Sequence, residues 1–131
     1  MGEIAVTAAL VGTGYVLNRT RNAYLARELQ VAGTHWSRLR GLMGVAAANF
    51  GPSHGLWIVP SHGIHTFGMR FAIDAAYLDH DKTVIHVEHN LKPWRIAPVR
   101  AKAASVLELP ANTLKDTGTA IGDQLEIGTG E

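Results

Sequence analysis

The segment MRFAIDAAYL, residues 69–78, carries most of the architectural information in this chain. Side chains alternate between the two sides of a β-strand, so Phe71, Ile73 and Tyr77 share one side. Arg70 and Asp74 then share the opposite side, about 13 Å apart at roughly 3.3 Å per residue, too far for a direct ion pair. The pattern predicts a strand from Met69 to Leu78 whose aromatic and aliphatic side faces the core. A buried Asp74 would need hydrogen bonds from backbone amides or an arginine.

Other apolar runs of strand length surround this segment, and each is separated from the next by residues typical of turns. The runs are Leu56–Val59, Ile64–Phe67, Thr83–Val87, Val106–Leu109 and Leu125–Ile127. Many short strands at close spacing indicate a β-sandwich or barrel and not alternating βαβ units. We therefore predict a mainly β domain over residues 15–127 with one or two short helices. Residues 1–14 are expected to form a poorly ordered N-terminal extension.

Two local patterns sit near the start of this domain. Tyr15–Leu17 and Leu25–Val31 flank an asparagine-containing turn, which suggests a β-hairpin. The second arm has two interpretations, because residues 23–30 also contain good helix formers, and we favour the strand. Thr34 or Ser37 could cap a short helix that runs to about Met43 and ends at Gly44. In such a helix Leu39, Leu42 and Met43 would face the core.

The composition narrows the class of protein. The chain has 131 residues, 47% of them hydrophobic and 18% charged, which is typical of one globular domain. It has no cysteine, which excludes disulfides, thiolate zinc sites and a thiol nucleophile. We expect no secretory leader, and no apolar stretch approaches the roughly 20 residues of a membrane span. The net charge of +1 is too small to indicate nucleic-acid binding. We expect a cytoplasmic protein without nucleic-acid or membrane partners.

Six motifs in a fixed order make the chain resemble a family of bacterial and archaeal proteins called domain of unknown function 192. They are RLRGLM at 38–43, GLWIVP at 55–60, HTFGMRFAID at 65–74, LKPWR at 91–95, VLELP at 106–110 and Gly122-Asp123. The chain departs from the family pattern at Ser61, where relatives often have cysteine, at Ala72, where proline is usual, and at Asn112, where glycine is usual. The resemblance implies a small β-sandwich of jelly-roll character, and it implies no activity because folds of this kind host unrelated functions.

The candidate binding residues lie in the family motifs. We predict a non-catalytic binding module that grips a small polar or anionic ligand, or a loop of a partner protein, at one end of the fold. Trp94 can stack on a ring, and the basic loop around it can meet an anion. The predicted groove is formed by His65, Thr66, Met69, Arg70, Trp94 and Arg95.

Two alternatives stay open at this point. The first is an enzyme, a metal-assisted hydrolase centred on His62, His65 and Asp74, although histidines three apart in a strand point to opposite sides and cannot chelate unless a turn intervenes. The second is a structural or protein-interaction domain without a pocket. Familiar enzyme signatures are absent from the sequence. We therefore lean against an enzyme, and we expect no cofactor, no bound metal and a monomer.

Overall fold

The computed structural model describes residues 14–129, which form seven strands, two short α-helices and one 3-10 turn. The predicted extension, residues 1–14, lies outside the described residues except for Gly14. The elements in chain order are β1 (Gly14–Asn18), β2 (Ala23–Ala32), α1 (His35–Arg40), the 3-10 turn (Ala47–Asn49), β3 (His54–Ile58), β4 (Ile73–Leu78), β5 (Val84–Leu91), β6 (Ser105–Pro110), α2 (Thr113–Thr117) and β7 (Leu125–Gly128).

All seven strands belong to one sheet in the order β5-β4-β6-β3-β2-β1-β7. β2 and β3 pair in parallel, and the other neighbouring pairs are antiparallel. The two edge strands meet at one end, where Thr83 bridges Gln124 and the Val84 N–H donates to the Asp123 carbonyl over 2.9 Å. The sheet is therefore strongly curled. The prediction of a mainly β domain with one or two short helices is confirmed, whereas the sandwich or jelly-roll character is not.

β1 and β2 form the predicted antiparallel hairpin, with a turn between Asn18 and Ala23. β4 is shorter than predicted because it begins at Ile73 and not at Met69. The chain turns before it, where Gly68 has a φ of +74°. The prediction that Arg70 and Asp74 share one side of a single strand is therefore wrong.

β4 still alternates between two sides, but both are buried. Ala76 and Leu78 belong to a core cluster with Leu107 and Leu109 of β6, inside the curl of the sheet. Ala75 and Tyr77 pack instead with Ala97 and Ala103 of the loop that precedes β6. Loops thus cover the outer side of the sheet, and this is where the candidate site lies.

The carboxylate of Asp74 is fully buried and accepts two main-chain hydrogen bonds. Oδ1 accepts from the Asn90 N–H and Oδ2 from the Leu114 N–H, each over 2.9 Å. Of the two expected kinds of partner, backbone amides and an arginine, the structure shows the amides. Asp74 ties β4 to the end of β5 and to α2.

α1 is capped as its sequence indicates but ends earlier than predicted. Thr34 and Ser37 form a reciprocal capping box at its start, and Gly41 ends it with a φ of +48°. Leu42 is buried as predicted, but Leu39 and Met43 are exposed. Placing those two side chains in the core was wrong, because Leu39 lies on the exposed side of the helix and the helix ends before Met43.

No helix formed by residues 14–129 combines the length and the apolarity needed to cross a bilayer.

Candidate functional site

A cavity of about 430 Å³ opens on the outer side of the sheet, between α1, the loop after β3 and the middle of β6. This volume lies within the range of small-molecule sites. We call it the Glu108 pocket, and it is lined by His35, Arg38, Leu39, Gly41, Ile58, Pro60, Ser61, His62, Gly63, Ile64, His65 and Glu108.

Glu108 lies in the pocket because β6 crosses the centre of the sheet. It pairs with Leu56 of β3, and its side chain shares the outer side with Val106, the partner of Ile58. Only 1% of the residue is exposed, and Oε1 has no hydrogen-bond partner. Burial raises the pKa of Glu108 to about 8 because the charged form loses its hydration. At neutral pH this group is therefore mainly a protonated carboxylic acid, which can donate a hydrogen bond.

Arg38 forms a fixed wall of the pocket. Its Nε donates to the Thr34 carbonyl over 3.3 Å, Nη1 to the Pro60 carbonyl over 3.0 Å, and Nη2 to Nδ1 of His35 over 3.1 Å. A guanidinium has five N–H groups, so two are left over after these three bonds. A side chain held in this way is suited to binding an oxyanion without further loss of conformational freedom.

Hydrogen bonds fix the tautomers of the three histidines in the pocket. His65 uses both nitrogens, since Nε2 donates to the Leu39 carbonyl and Nδ1 accepts from the Phe67 N–H. His62 donates from Nδ1 to the Ala103 carbonyl over 2.7 Å, which leaves Nε2 as a bare acceptor. His35 accepts at Nδ1 from Arg38, which leaves Nε2 as a donor. His65 is thus structural, whereas His35 and His62 each keep one nitrogen for a ligand.

These groups do not form a metal centre. Among residues 14–129, no three histidine, cysteine, aspartate or glutamate side chains lie close enough together to hold an ion. The alternative built on His62, His65 and Asp74 fails on geometry, because both oxygens of Asp74 bind main-chain amides and both nitrogens of His65 are occupied.

Most of the predicted groove residues lie close together in the structure. They lie beside the Glu108 pocket and do not line it, with one exception. Residues 62–66 and 95–100 form an irregular antiparallel ribbon, in which the Thr66 N–H donates to the Arg95 carbonyl and the Ala97 N–H to the Ile64 carbonyl. Arg70 is exposed on the adjoining loop. Among the six predicted groove residues, it is His65 that lines the Glu108 pocket.

Thr66 and Met69 are buried. The Thr66 hydroxyl donates to the Lys92 carbonyl over 2.6 Å and accepts from the Arg95 N–H over 2.9 Å. Its hydrogen-bonding capacity is largely used inside the protein. Thr66 therefore holds the Trp94 turn in place, and a ligand-binding role for these groove residues stays a prediction.

Glu108 is not among the residues predicted from the sequence, although it lies in the family motif at 106–110. The available signal was a lone carboxylate in the strand Val-Leu-Glu-Leu-Pro, between residues that are apolar on both sides. An acid is almost never fully buried without a partner, so a charged residue in a central strand is informative.

Comparisons with known proteins agree with the family resemblance. The family described as DUF192, uncharacterized ACR, COG1430, matches residues 16–127. The UPF0127 protein of Pyrococcus abyssi is 31% identical over 119 residues, which cover 86% of this chain and 97% of that protein. The UPF0127 protein of Thermococcus sibiricus is 27% identical over 116 residues, covering 85% of this chain and 73% of its own.

Two crystal structures share the fold. A protein of unknown function from Novosphingobium aromaticivorans has a TM-score of 0.73 at 19% identity, with 86% of this chain and 82% of that chain covered. A Sinorhizobium meliloti protein, provisionally named a transcription regulator, has a TM-score of 0.72 at 24% identity. The match covers 86% of this chain and 90% of that chain. At these identities the likeness concerns the fold alone.

Proposed function

This chain belongs to the DUF192 family, whose description assigns no activity, and we propose from its own residues that the domain binds a small polar or anionic molecule in the Glu108 pocket. The observation that carries the proposal is the unpartnered Oε1 of Glu108 in the wall of that pocket. A buried polar atom without a partner is destabilising, and such groups are concentrated at functional sites.

The protonation state of Glu108 defines what the ligand must offer. A protonated carboxyl donates one hydrogen bond, so the matching ligand atom is an acceptor such as a carbonyl, carboxylate or phosphate oxygen. Arg38 adds a fixed positive charge and two unused N–H groups, and His35 adds a donor at Nε2. Apart from Glu108, no acidic residue of the described chain lines the pocket. The charge balance therefore favours an anion or a strongly polar neutral molecule.

The experiment is an NMR titration of ¹⁵N-labelled protein with three probes, acetate, inorganic phosphate and acetamide. We expect shifts of the amide signals of Gly41, Arg38 and residues 61–65. Glu108→Gln keeps a donor and should still bind at neutral pH, whereas Glu108→Leu should weaken binding roughly tenfold or more because the donor is lost. Arg38→Gln should weaken the two anions more than acetamide.

Arg27→Gln is the matched control, because Arg27 is an exposed arginine lying over Tyr24, outside the pocket. Equal loss in the Arg27 and Arg38 variants, or unchanged binding in Glu108→Leu, would contradict the proposal. Raising the pH above about 8 should weaken anion binding to the native protein, because ionised Glu108 repels an anion.

A second candidate function is acid–base catalysis in the same pocket. The observation that favours it is the combination of a protonated Glu108 with the bare Nε2 of His62, an acid and a base lining one cavity. Chemical conversion of a bound probe, lost in both His62→Asn and Glu108→Gln, would support catalysis over binding alone.

The proposed binding function retains the expected cytoplasmic location and monomeric state.

A further inference from the structure

The charges of this chain are segregated along the sequence. Residues 30–73 and 89–107 contain seven of the twelve lysines and arginines and no aspartate or glutamate. The seven are Arg38, Arg40, Arg70, Lys92, Arg95, Arg100 and Lys102. Six of them are exposed and Arg38 is half-buried. These two segments therefore contribute only positive formal charges to the surface.

The fold brings these segments together on the outer side of the sheet. The ribbon joins the two segments, since the Arg100 N–H donates to the His62 carbonyl and His65 bridges Ile96. His65 in turn donates to the Leu39 carbonyl at the end of α1. α1, the ribbon and the Trp94 turn thus form one continuous surface around the mouth of the Glu108 pocket.

This surface also exposes large apolar side chains. Ile96 is 72% exposed and Trp94 is 65% exposed, and Leu39, Phe67 and Val99 are exposed as well. The Phe67 ring lies 6.0 Å from the Trp94 ring and 5.0 Å from the His65 ring, Ile96 bridges His65, and the Leu39 carbonyl accepts from His65. Val99 lies further along the same ribbon. Trp94 is held outward by a backbone with φ of +63°, a conformation that is strained for a bulky residue. Contiguous exposed apolar surface on a small domain marks a site of interaction.

The chemistry of the patch favours a lipid bilayer over a nucleic acid or an acidic protein. Ile96, Val99 and Leu39 are aliphatic, so they cannot stack on bases, but they can enter the acyl region of a membrane. Tryptophan is enriched at the boundary between lipid and water, and lysine and arginine bind anionic headgroups while their stems lie along apolar surface. Exposed aliphatic side chains, a tryptophan suited to the lipid–water boundary and surrounding cations together match an anionic membrane surface.

We propose that this surface, consisting of Leu39, Phe67, Trp94, Ile96, Val99 and the surrounding cations, docks the domain reversibly on anionic lipid bilayers. The proposal departs from the expectation, drawn from composition, that the chain has no membrane partner. It does not rest on ligand binding in the pocket: Leu39 belongs to both sites, but Ile96 and Arg100, the positions varied in its test, do not line the pocket. Docking would place the mouth of the pocket against the membrane.

The test is co-sedimentation of the full chain with two kinds of vesicle, phosphatidylcholine alone and equal parts of phosphatidylcholine and phosphatidylglycerol. We expect binding to the anionic vesicles that weakens with salt, and little binding to phosphatidylcholine. Ile96→Ser should weaken binding roughly tenfold, because a buried isoleucine side chain is lost from the interface. Arg100→Glu should weaken it by a similar factor.

Two matched controls lie elsewhere on the molecule. Ile121 is also exposed, at 61%, and it lies in the segment before β7. Lys115 is exposed on α2, whose Leu114 packs into the inner core on the opposite side of the sheet. Ile121→Ser and Lys115→Glu should bind vesicles as the native protein does. Because Trp36 on α1 is also exposed, the fluorescence is measured in a Trp36→Phe background. The tryptophan emission should shift to the blue with anionic vesicles, and adding Trp94→Phe should remove that shift.

Absence of binding to anionic vesicles at low salt would overturn the proposal. Tighter patch-dependent binding to a single-stranded oligonucleotide or to a polyglutamate peptide than to vesicles would also overturn it, and so would equal losses in the patch and control variants. Failure here leaves the probe titration of the Glu108 pocket unaffected, so the two proposals can fail separately.

Discussion

Gly41 lies against the carboxyl group of Glu108, so that a Cβ atom at position 41 would be 3.6 Å from Oε1 and 3.9 Å from Oε2. Its backbone has a φ of +48° and a ψ of −123°, which side-chain-bearing residues rarely adopt. One residue thus ends α1 and forms the part of the pocket wall that lies against the buried acid.

Gly41→Ala should destabilise the protein by about 1–3 kcal/mol through backbone strain. The added methyl group lies at ordinary contact distance, so it should also shield the carboxyl from water and raise the pKa of Glu108 further. Urea unfolding and a ¹³C NMR titration of the carboxyl measure the two effects. Gly44→Ala is the control, because Gly44 also has a positive φ but no other atom lies within 4 Å of its added Cβ. A pKa change of the same size in both variants would speak against the contact.

The stability of the protein should fall as the pH rises from about 4.5 to about 8. Glu108 ionises near 4.5 in the unfolded chain but near 8 in the folded one, so the folded state binds more protons throughout this window. The loss should be on the order of a few kcal/mol, at about 1.36 kcal/mol per pKa unit. Burial alone would raise the pKa of Asp123, but hydrogen bonds from Arg21 and Asn18 lower it on balance. Hydrogen bonds from Tyr15 and Arg19 lower the pKa of Glu126, so both groups act only at more acidic pH.

Urea unfolding at pH values across that window measures this slope, and Glu108→Gln should flatten it. The glutamine variant should also be the more stable of the two proteins above pH 8, because the native protein must then bury a charge. An unchanged slope in the variant would show that another group controls it.

Asp74→Ala should destabilise the domain by about 2 kcal/mol or more, because the Asn90 and Leu114 amides lose their buried acceptors. Asp74→Asn keeps one acceptor oxygen and should cost less. Thermal unfolding measures both, with Asp116→Ala as the exposed control on α2. If Asp74→Ala unfolds at the native temperature, the two amides have found other partners.

Thr66→Val should loosen the turn that carries Trp94, because the Lys92 carbonyl and the Arg95 amide lose their hydroxyl partner. The expected cost is about 1–3 kcal/mol. Thr66→Ser keeps the hydroxyl and should behave as the native protein. Hydrogen exchange at the Arg95 amide reports the local effect, and equal exchange rates in the two variants would assign Thr66 no such role.

Local features of the fold could be predicted because local physics sets them. The hairpin follows from its turn residues, the start of α1 from Thr34, and the two amide partners of Asp74 from the cost of burying a bare carboxylate. The apolar runs also place most of the strands within a few residues. Each of these signals lies within a short stretch of chain.

The candidate site could not be predicted in the same way because it depends on distant contacts. The predicted strand from Met69 ignored the turn at Gly68, whose neighbour in space is Met43 of another loop. Glu108 is buried without a hydrogen-bond partner only because α1 and the loop after β3 cover the centre of β6. Sequence periodicity shows that a strand is buried, but not what covers it.

The meeting of the sheet edges at Thr83 and Gln124 restricts how copies of this protein can polymerise. An open edge strand offers unpaired amides and carbonyls to a neighbouring chain and is a common starting point for amyloid-like growth. Here the beginning of β5 is already bonded to the beginning of β7, and Asn90 near its other end has a φ of +55° and donates its amide to Asp74. Residues 85–89 of β5 are left between these two points, so the curl of the sheet shortens the edge that a neighbouring chain could extend.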